Sequence, residues 1–333
     1  MIILYFLLIS RLSDIVQFGE LEPPTELPTY QENRVDFLKL DQQFPDSFLF
    51  NVGGALVRYS TDGGQTVVAG NVTAFGLVNG PALRARFSKY FLILQFNRTR
   101  IAIIDYRHHC IRELDTTTKI VQPFIGECNT KVSQPDHHIT LTRSDQNLSV
   151  TDSFLRYPVG AVYLHSRSLI VVSDLSLARL VKVDLNTKTA SLLCSRCDES
   201  VLPWSRDLVS DTNEKYIYVS HTAGLSKIDV DTYEVKLLVG IEDGKKAQHP
   251  NSPHPFEYVQ GGSILHTLHW LIPNKVLVSY AFGGIRGPFY GIALIDLMNE
   301  DIEYICNSEF TKNIAITSLY QHFPIGAIIL MAG

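Results

Sequence analysis

One short pattern recurs along this chain, and it restricts the fold more than any other feature. Residues 111–119 read Ile-Arg-Glu-Leu-Asp-Thr-Thr-Thr-Lys and continue through Gly126 to Cys128. Without a gap they overlay residues 180–188, Leu-Val-Lys-Val-Asp-Leu-Asn-Thr-Lys, which continue to Cys197. A third copy spans 225–240 and a fourth 292–306, while a weaker first copy runs from Leu56 to Gly70 with Asp62, Gly63 and Gly64 as its turn. In each strong copy alternating apolar residues end at an Asp, a short polar turn follows, and a second apolar run closes the unit. Period two broken by Asp, Asn, Thr or Gly is the signature of a β-hairpin.

Upstream of each hairpin lies a continuous apolar run: 101–104, 169–172, 216–219 and 276–278. A run of that length reads as a strand buried on both faces. A fourth stretch precedes it, as at 159–164 and 264–268. Four antiparallel strands per unit, the middle ones buried between neighbours, make a propeller blade. The hairpin Asps at 115, 184, 229 and 296 are spaced 69, 45 and 67 residues apart. The shortest interval matches one four-stranded blade of roughly 40 to 50 residues, and the longer ones carry inserted loops near 129–155 and 241–262. No segment sustains apolar residues at helical spacing with caps. The expected fold is all-β, a β-propeller.

The residues between these units resemble the NHL-repeat family. Gly76, Asn79, Gly80, Ala85 and Phe87 resemble its G-x-x-D-G-x(4)-A-x-F element, with Asn79 at the Asp position. Tyr157-Pro158-Val159-Gly160 and Leu169 to Asp174 resemble its F-x-x-P-x-G and L-Y-V-A-D segments. Asp105 to Arg112 resembles its D-x-x-N-H-C-I-R run, with His108 at the Asn position. The resemblance covers residues 46–331 and departs from the family after Phe87, where no Pro-x-Gly follows. It implies six blades, the last incomplete or closed by both chain ends. Residues 314–320 and 325–330 supply two strands of that blade, and 34–40 is the segment expected to complete it.

The domain reading follows: 1–20 a signal peptide or N-terminal extension, 21–45 a linker and closing strand, 46–333 the propeller. Residues 1–9 are almost wholly apolar, the length of a secretion-leader core and too short to span a bilayer. Sequons at Asn71, Asn97 and Asn147 agree with a secreted glycoprotein. Five cysteines leave at least one unpaired within the chain. Centring the second-unit hairpin on Thr116 and Thr117 places Cys110 opposite residue 123. A Cys110–Cys128 disulfide therefore requires the chain to fold back after Gly126, which glycine permits. Cys194-Ser195-Arg196-Cys197 has no second CxxC to complete a zinc site and no βαβ context for redox chemistry.

Candidate chemistry is sparse. His266 and His269 point to opposite faces of a strand, and the doublets His108-His109 and His137-His138 fail likewise as chelating pairs. Asp105 and Asp174 end equivalent buried strands, and their repetition argues for capping turn amides rather than for base catalysis. Residues 84–112 hold seven Lys or Arg and one acid, read here as a solvated blade edge, because strand alternation divides the charges and the whole chain carries −5. No Walker loop, dinucleotide fingerprint or Gly-x-Ser-x-Gly occurs. We therefore nominate no catalytic, cofactor or metal residue, no nucleic-acid partner and no membrane span. The reading is a secreted or luminal, non-enzymatic propeller that binds a protein or glycan through its rim loops. A metal-dependent lyase or lactonase and an RNA-binding NHL propeller are the alternatives.

Overall fold

A computed structural model describes residues 38–44, 47–60, 64–89, 91–128, 155–194, 201–222 and 224–242, with the further strands named below. Its strands form six antiparallel sheets. The first holds Leu38–Leu40, Ser47–Val52, Gly54–Ser60 and Gln65–Asn71 in that order. The second runs Leu92–Gln95, Arg100–Asp105, Cys110–Asp115, Ile120–Ile125, with Gly80–Pro81 added at the last edge. The third runs Pro158–Leu164, Leu169–Asp174, Arg179–Asp184, Thr189–Leu192, with Leu148–Ser149 at its edge. The fourth runs Leu208–Ser210, Tyr216–His221, Gly224–Asp229, Val235–Glu242, then Lys245–Lys246. The fifth runs Ile264–Ile272, Lys275–Gly284, Gly287–Asp296, Asp301–Cys306.

The turns fall where the repeated Asp places them, and the reason is local. Asp115 Oδ1 accepts the Thr117 and Thr118 amides at 2.7 and 3.1 Å. Asp184 does the same with Asn186 and Thr187, and Asp229 with Asp231 and Thr232. Each turn then closes through a left-handed residue, Lys119, Lys188 or Tyr233. A carboxylate that binds the amides two and three residues on holds this turn by itself.

The apolar runs are buried on both faces as expected. Arg100–Asp105, Leu169–Asp174 and Tyr216–His221 each bury every residue after the first. Ile101 and Ile103 pack with Leu49, Leu56 and Phe87 of the first interface, while Ala102 and Ile104 pack with Ile170 and Val172 of the next sheet. Val171, between those last two, faces Leu208, Ile217 and Val219 of the fourth sheet. One strand thus feeds two cores, so stacking consecutive sheets is what removes its apolar surface from water.

Two expectations are corrected. Residues 38–40 do not close the last sheet: Leu38, Lys39 and Leu40 pair with Phe50, Leu49 and Phe48 across a short turn. The Asp41 amide and the Ser47 carbonyl bond across that turn at 2.9 Å, and closing so short a loop is easier than closing a distant one. The terminal sheet instead contains Gln17–Glu20, Leu4–Leu8, Ala327–Ala332 and Ile316–His322, in that order. Both chain ends close it, through Leu4–Leu8 against Ala327–Ala332. The same stretch reads as a leader core, and the two roles exclude one another in one mature molecule.

The second correction is register. Asp115 pairs with Ile120, and a bulge between Ile111 and Arg112 brings Ile111 opposite Ile125, so Cys110 lies near Gly126 rather than residue 123. Gly126 adopts φ 80°, and the Cys110 and Cys128 Cα atoms stand 4.9 Å apart across a disulfide. The fold-back at glycine is as expected; the bulge shortens the distance it must span. Cys194 is also disulfide-bonded.

Candidate recognition face

Antiparallel pairing sorts the connections between two ends of the sheets. One end carries short hairpin turns: 96–99, 116–119, 165–168, 185–188, 211–215 and 230–234. The other carries each middle turn and, among the described residues, the stretches that enter the second, third and fourth sheets, 82–89, 155–157 and 201–207. Loops on a rigid frame are where recognition residues are displayed.

Buried ion pairs anchor this end. Asp105 Oδ2 lies 2.6 Å from Arg112 Nη2 and 2.9 Å from His108 Nδ1, and Asp105 Oδ1 accepts the Ser88 amide at 3.4 Å. Burial alone would raise the Asp105 carboxyl; His108 and Arg112 overcome it and hold the group below its usual range. Arg112 also donates to the carbonyls of Val78 and Arg86 and to Asn79 Oδ1, at 3.0, 2.6 and 3.2 Å. The two NHL-like motifs therefore meet at one guanidinium. The basic stretch is not a solvated edge throughout, because Arg112 is wholly buried and Arg100 pairs with Glu113.

Asp174 repeats the arrangement in the third sheet. It accepts the Arg156 and Tyr157 amides at 3.1 and 2.8 Å and lies 3.1 Å from Arg179 Nη2. Both carboxylates are structural caps, although the amides belong to the segment entering the first strand and not to the turn after the Asp. In the fourth sheet His221 takes this place, with Nε2 2.8 Å from Ser226 Oγ. Burial pushes its pKa down to about 4, so the imidazole is neutral at physiological pH. Ser220 does the capping there, its carbonyl and Oγ accepting the Arg206 and Asp207 amides at 2.8 and 3.0 Å.

Aromatic and basic residues stand at these junctions. The Tyr106 and Tyr157 rings lie 4.9 Å apart, and the exposed Arg107 guanidinium lies 5.7 Å from the Tyr106 ring centre. Burial lowers the Arg206 guanidinium, and Tyr157 is the neighbour that favours its charged form. Two residues before Arg206, Trp204 is 50% exposed at φ 53°, a left-handed backbone that a bulky residue seldom adopts. The segment carrying it is fixed on both sides: Ser173 Oγ donates to Ser205 O at 2.6 Å, and the Thr222 amide to Pro203 O at 3.0 Å. Sequence reading missed Tyr157 and Arg206 as neighbours, because nothing local marks residues that enter separate sheets as close in space.

The remaining sequence candidates divide. His109 donates Nδ1–H to the Arg156 carbonyl, and His108 is taken by Asp105. His266 and His269 stand in Ile264–Ile272, where only the backbone is described, and His137, His138 and Asn147 lie outside the described residues. Among the described residues no three His, Cys, Asp or Glu side chains gather as a metal site. Asn97 is exposed in the turn between Leu92–Gln95 and Arg100–Asp105; Asn71 ends a strand, half-buried. In both sequons the Asn Oδ1 accepts the Thr amide and stands 3.3 Å from the Thr hydroxyl. Among the described residues no helix is long and apolar enough to cross a membrane.

These stacked four- and five-stranded sheets define a β-propeller. Solved propellers agree at the level of fold. A protein described as TolB from Agrobacterium tumefaciens shares 11% identity, TM-score 0.53, over 99% of this chain and 97% of its own. A chain of a nidogen/laminin complex shares 10% identity, TM-score 0.51, over 92% and 93%. The extracellular domain of a one-component system from B. thetaiotaomicron shares 13% identity, TM-score 0.51, over 90% of this chain, which spans 40% of that one. No family model matches the chain, and no curated protein matches it.

Proposed function

We propose that this chain is a secreted, non-enzymatic propeller of the NHL type that binds a protein ligand through the face carrying its long connections. The carrying observation is that Arg107, the stacked pair Tyr106 and Tyr157, and exposed Trp204 all stand in connections at that end: tyrosine, tryptophan and arginine are the residues that dominate binding energy at protein interfaces. The NHL assignment is supported by Arg112, which ties the Gly76-to-Phe87 element to the Cys-Ile-Arg run. Secretion is supported by the Cys110–Cys128 disulfide, a bond that persists in oxidising compartments.

Expression from the native N-terminus in secreting eukaryotic cells tests the reading. Protein in the medium, lightened by glycosidase, is the expected result. An N-terminus still at Met1 would retain Leu4–Leu8 as a strand and remove the leader. Lactone or amide-lyase turnover abolished by chelation would replace the reading with a metalloenzyme. Cytosolic retention with reduced cysteines and RNA binding would replace it with the third alternative.

A further inference from the structure

The first strands of neighbouring sheets touch, Leu92–Gln95 with Pro158–Leu164 and Pro158–Leu164 with Leu208–Ser210. They ring the propeller axis, so the fourth strands stand at the outer rim. Between the rims of the first two sheets runs the segment that joins them. Its Gly80–Pro81 pairs with the second sheet, Pro81 opposite Ile120, and the Ala82 amide donates to the Lys119 carbonyl at 2.8 Å. The turn Ala82–Arg84 then rests against Gln65–Asn71 of the first sheet, with Ala82 and Ala69 in one core.

That junction leaves apolar surface in water. Eight large apolar residues are exposed among the described residues; Val67, Phe75, Val78 and Leu83 are four of them, and Ile120 is a fifth. Leu83 is 63% exposed, the most of the eight, although Ala82 and Ala85 beside it are buried. Single exposed apolar residues are ordinary, but a group of them on one junction marks an interaction surface.

Cations border the group. Arg84 and Lys119 are exposed next to Leu83 and Ile120 in the chain. Arg86 bridges back to Val78, and its Nη1 donates to the Leu83 and Ala85 carbonyls at 3.3 and 2.7 Å. Residues 64–89 and 116–125, which build the junction, hold four Lys or Arg and no Asp or Glu. Asp115, the next acid along the chain, is bound to the turn amides of Thr117 and Thr118. The −5 of the whole chain does not cancel this local field, because exposed charges beyond about 8 Å are screened at physiological ionic strength.

We propose that this stretch of rim is a docking surface for a segment of a partner protein in which acidic and apolar side chains alternate. The apolar ones cover Leu83, Val78 and Ile120, and the carboxylates meet Arg84 and Lys119. Ile120 and Lys119 adjoin a hairpin turn, so the surface lies along the side of the disc and does not depend on the binding face proposed above. A polyanion would use the cations and leave Leu83 and Val78 in water. A lipid surface would strip water from exposed Asn79, which stands between Val78 and Pro81.

The test pans the full chain against displayed peptides that alternate Asp or Glu with random residues, and offers it heparin and phosphatidylserine-containing vesicles in parallel. Enriched peptides are expected to carry Leu, Ile, Val or Phe at the open positions. Leu83→Ser and Arg84→Glu are each expected to weaken them about tenfold and Lys119→Gln about threefold, with Tm unchanged because these side chains are exposed. Leu83→Met keeps the apolar surface and is expected to keep binding, which separates a contact from a structural role. Val201→Ser, an exposed apolar residue in another connection, is the control. Peptides held equally by all variants overturn the rim site and leave the binding face untouched. Loss with Arg84→Glu but not with Leu83→Ser overturns the mixed apolar and acidic partner. Heparin or vesicle retention that requires Arg84, with no peptide enriched, overturns it in favour of a glycan or a membrane. Retention by none of the probes overturns it as well.

Discussion

Arg112 and Asp105 form an ion pair at 2.6 Å in which both side chains are wholly buried. The pair fastens the connection between the first and second sheets, since the same guanidinium holds the carbonyls of Val78 and Arg86 and the side chain of Asn79. It is a joint made by residues that the sequence separates widely, and it sets the first expected outcome.

Removing one partner leaves the other charge buried alone. Arg112→Met is expected to destabilise the chain by about 3 to 5 kcal/mol in urea unfolding, and Asp105→Asn by a similar amount. The double variant is expected to recover part of that loss, because no uncompensated charge then remains. Asp105 also sets an acid limit. Its folded pKa lies below the unfolded 3.8, so its contribution is complete above that value and is lost as pH falls through the folded one.

His221 acts in a different pH window. Its folded pKa of about 4 lies below the unfolded 6.5, so the unfolded state binds more protons between the two values. Stability is therefore expected to fall as pH drops from about 6.5 to about 4, by up to roughly 3 kcal/mol. His221→Gln is expected to flatten that part of the curve, measured by thermal unfolding at half-unit pH steps.

Gly160 is where the third sheet accepts the chain entering the fourth. A Cβ there would stand 2.1 Å from the Arg206 carbonyl oxygen, which is backbone and cannot swing aside. Gly160→Ala is expected to cost about 1 to 3 kcal/mol, because the Arg206 backbone must shift to admit the methyl group. Equal Tm values for the variant and the parent chain would contradict that contact.

Cys110 and Cys128 close a loop across 18 positions. The chain-entropy account gives about 3 kcal/mol for a loop of this size. The double serine variant is expected to unfold at correspondingly lower urea, and peptide mapping without reduction is expected to recover the two cysteines in one linked fragment.

What the sequence determined by itself is what short range decides. The Asp at each hairpin binds amides two and three residues on, so Asp115, Asp184 and Asp229 locate their turns without help from the rest of the chain. The unbroken run Ile101 to Ile104 announces a strand covered on both faces, because no single core could shield both sets of side chains. Tertiary structure decided the rest. Which strand closes the terminal sheet depended on the choice of Leu4–Leu8 over Leu38–Leu40, a competition between local and distant pairing. The bulge at Ile111 set the disulfide register. The fold also put His221 where the two preceding sheets put Asp, and it tied Pro203 and Ser205, on either side of Trp204, to Thr222 and Ser173, contacts between positions far apart in the chain.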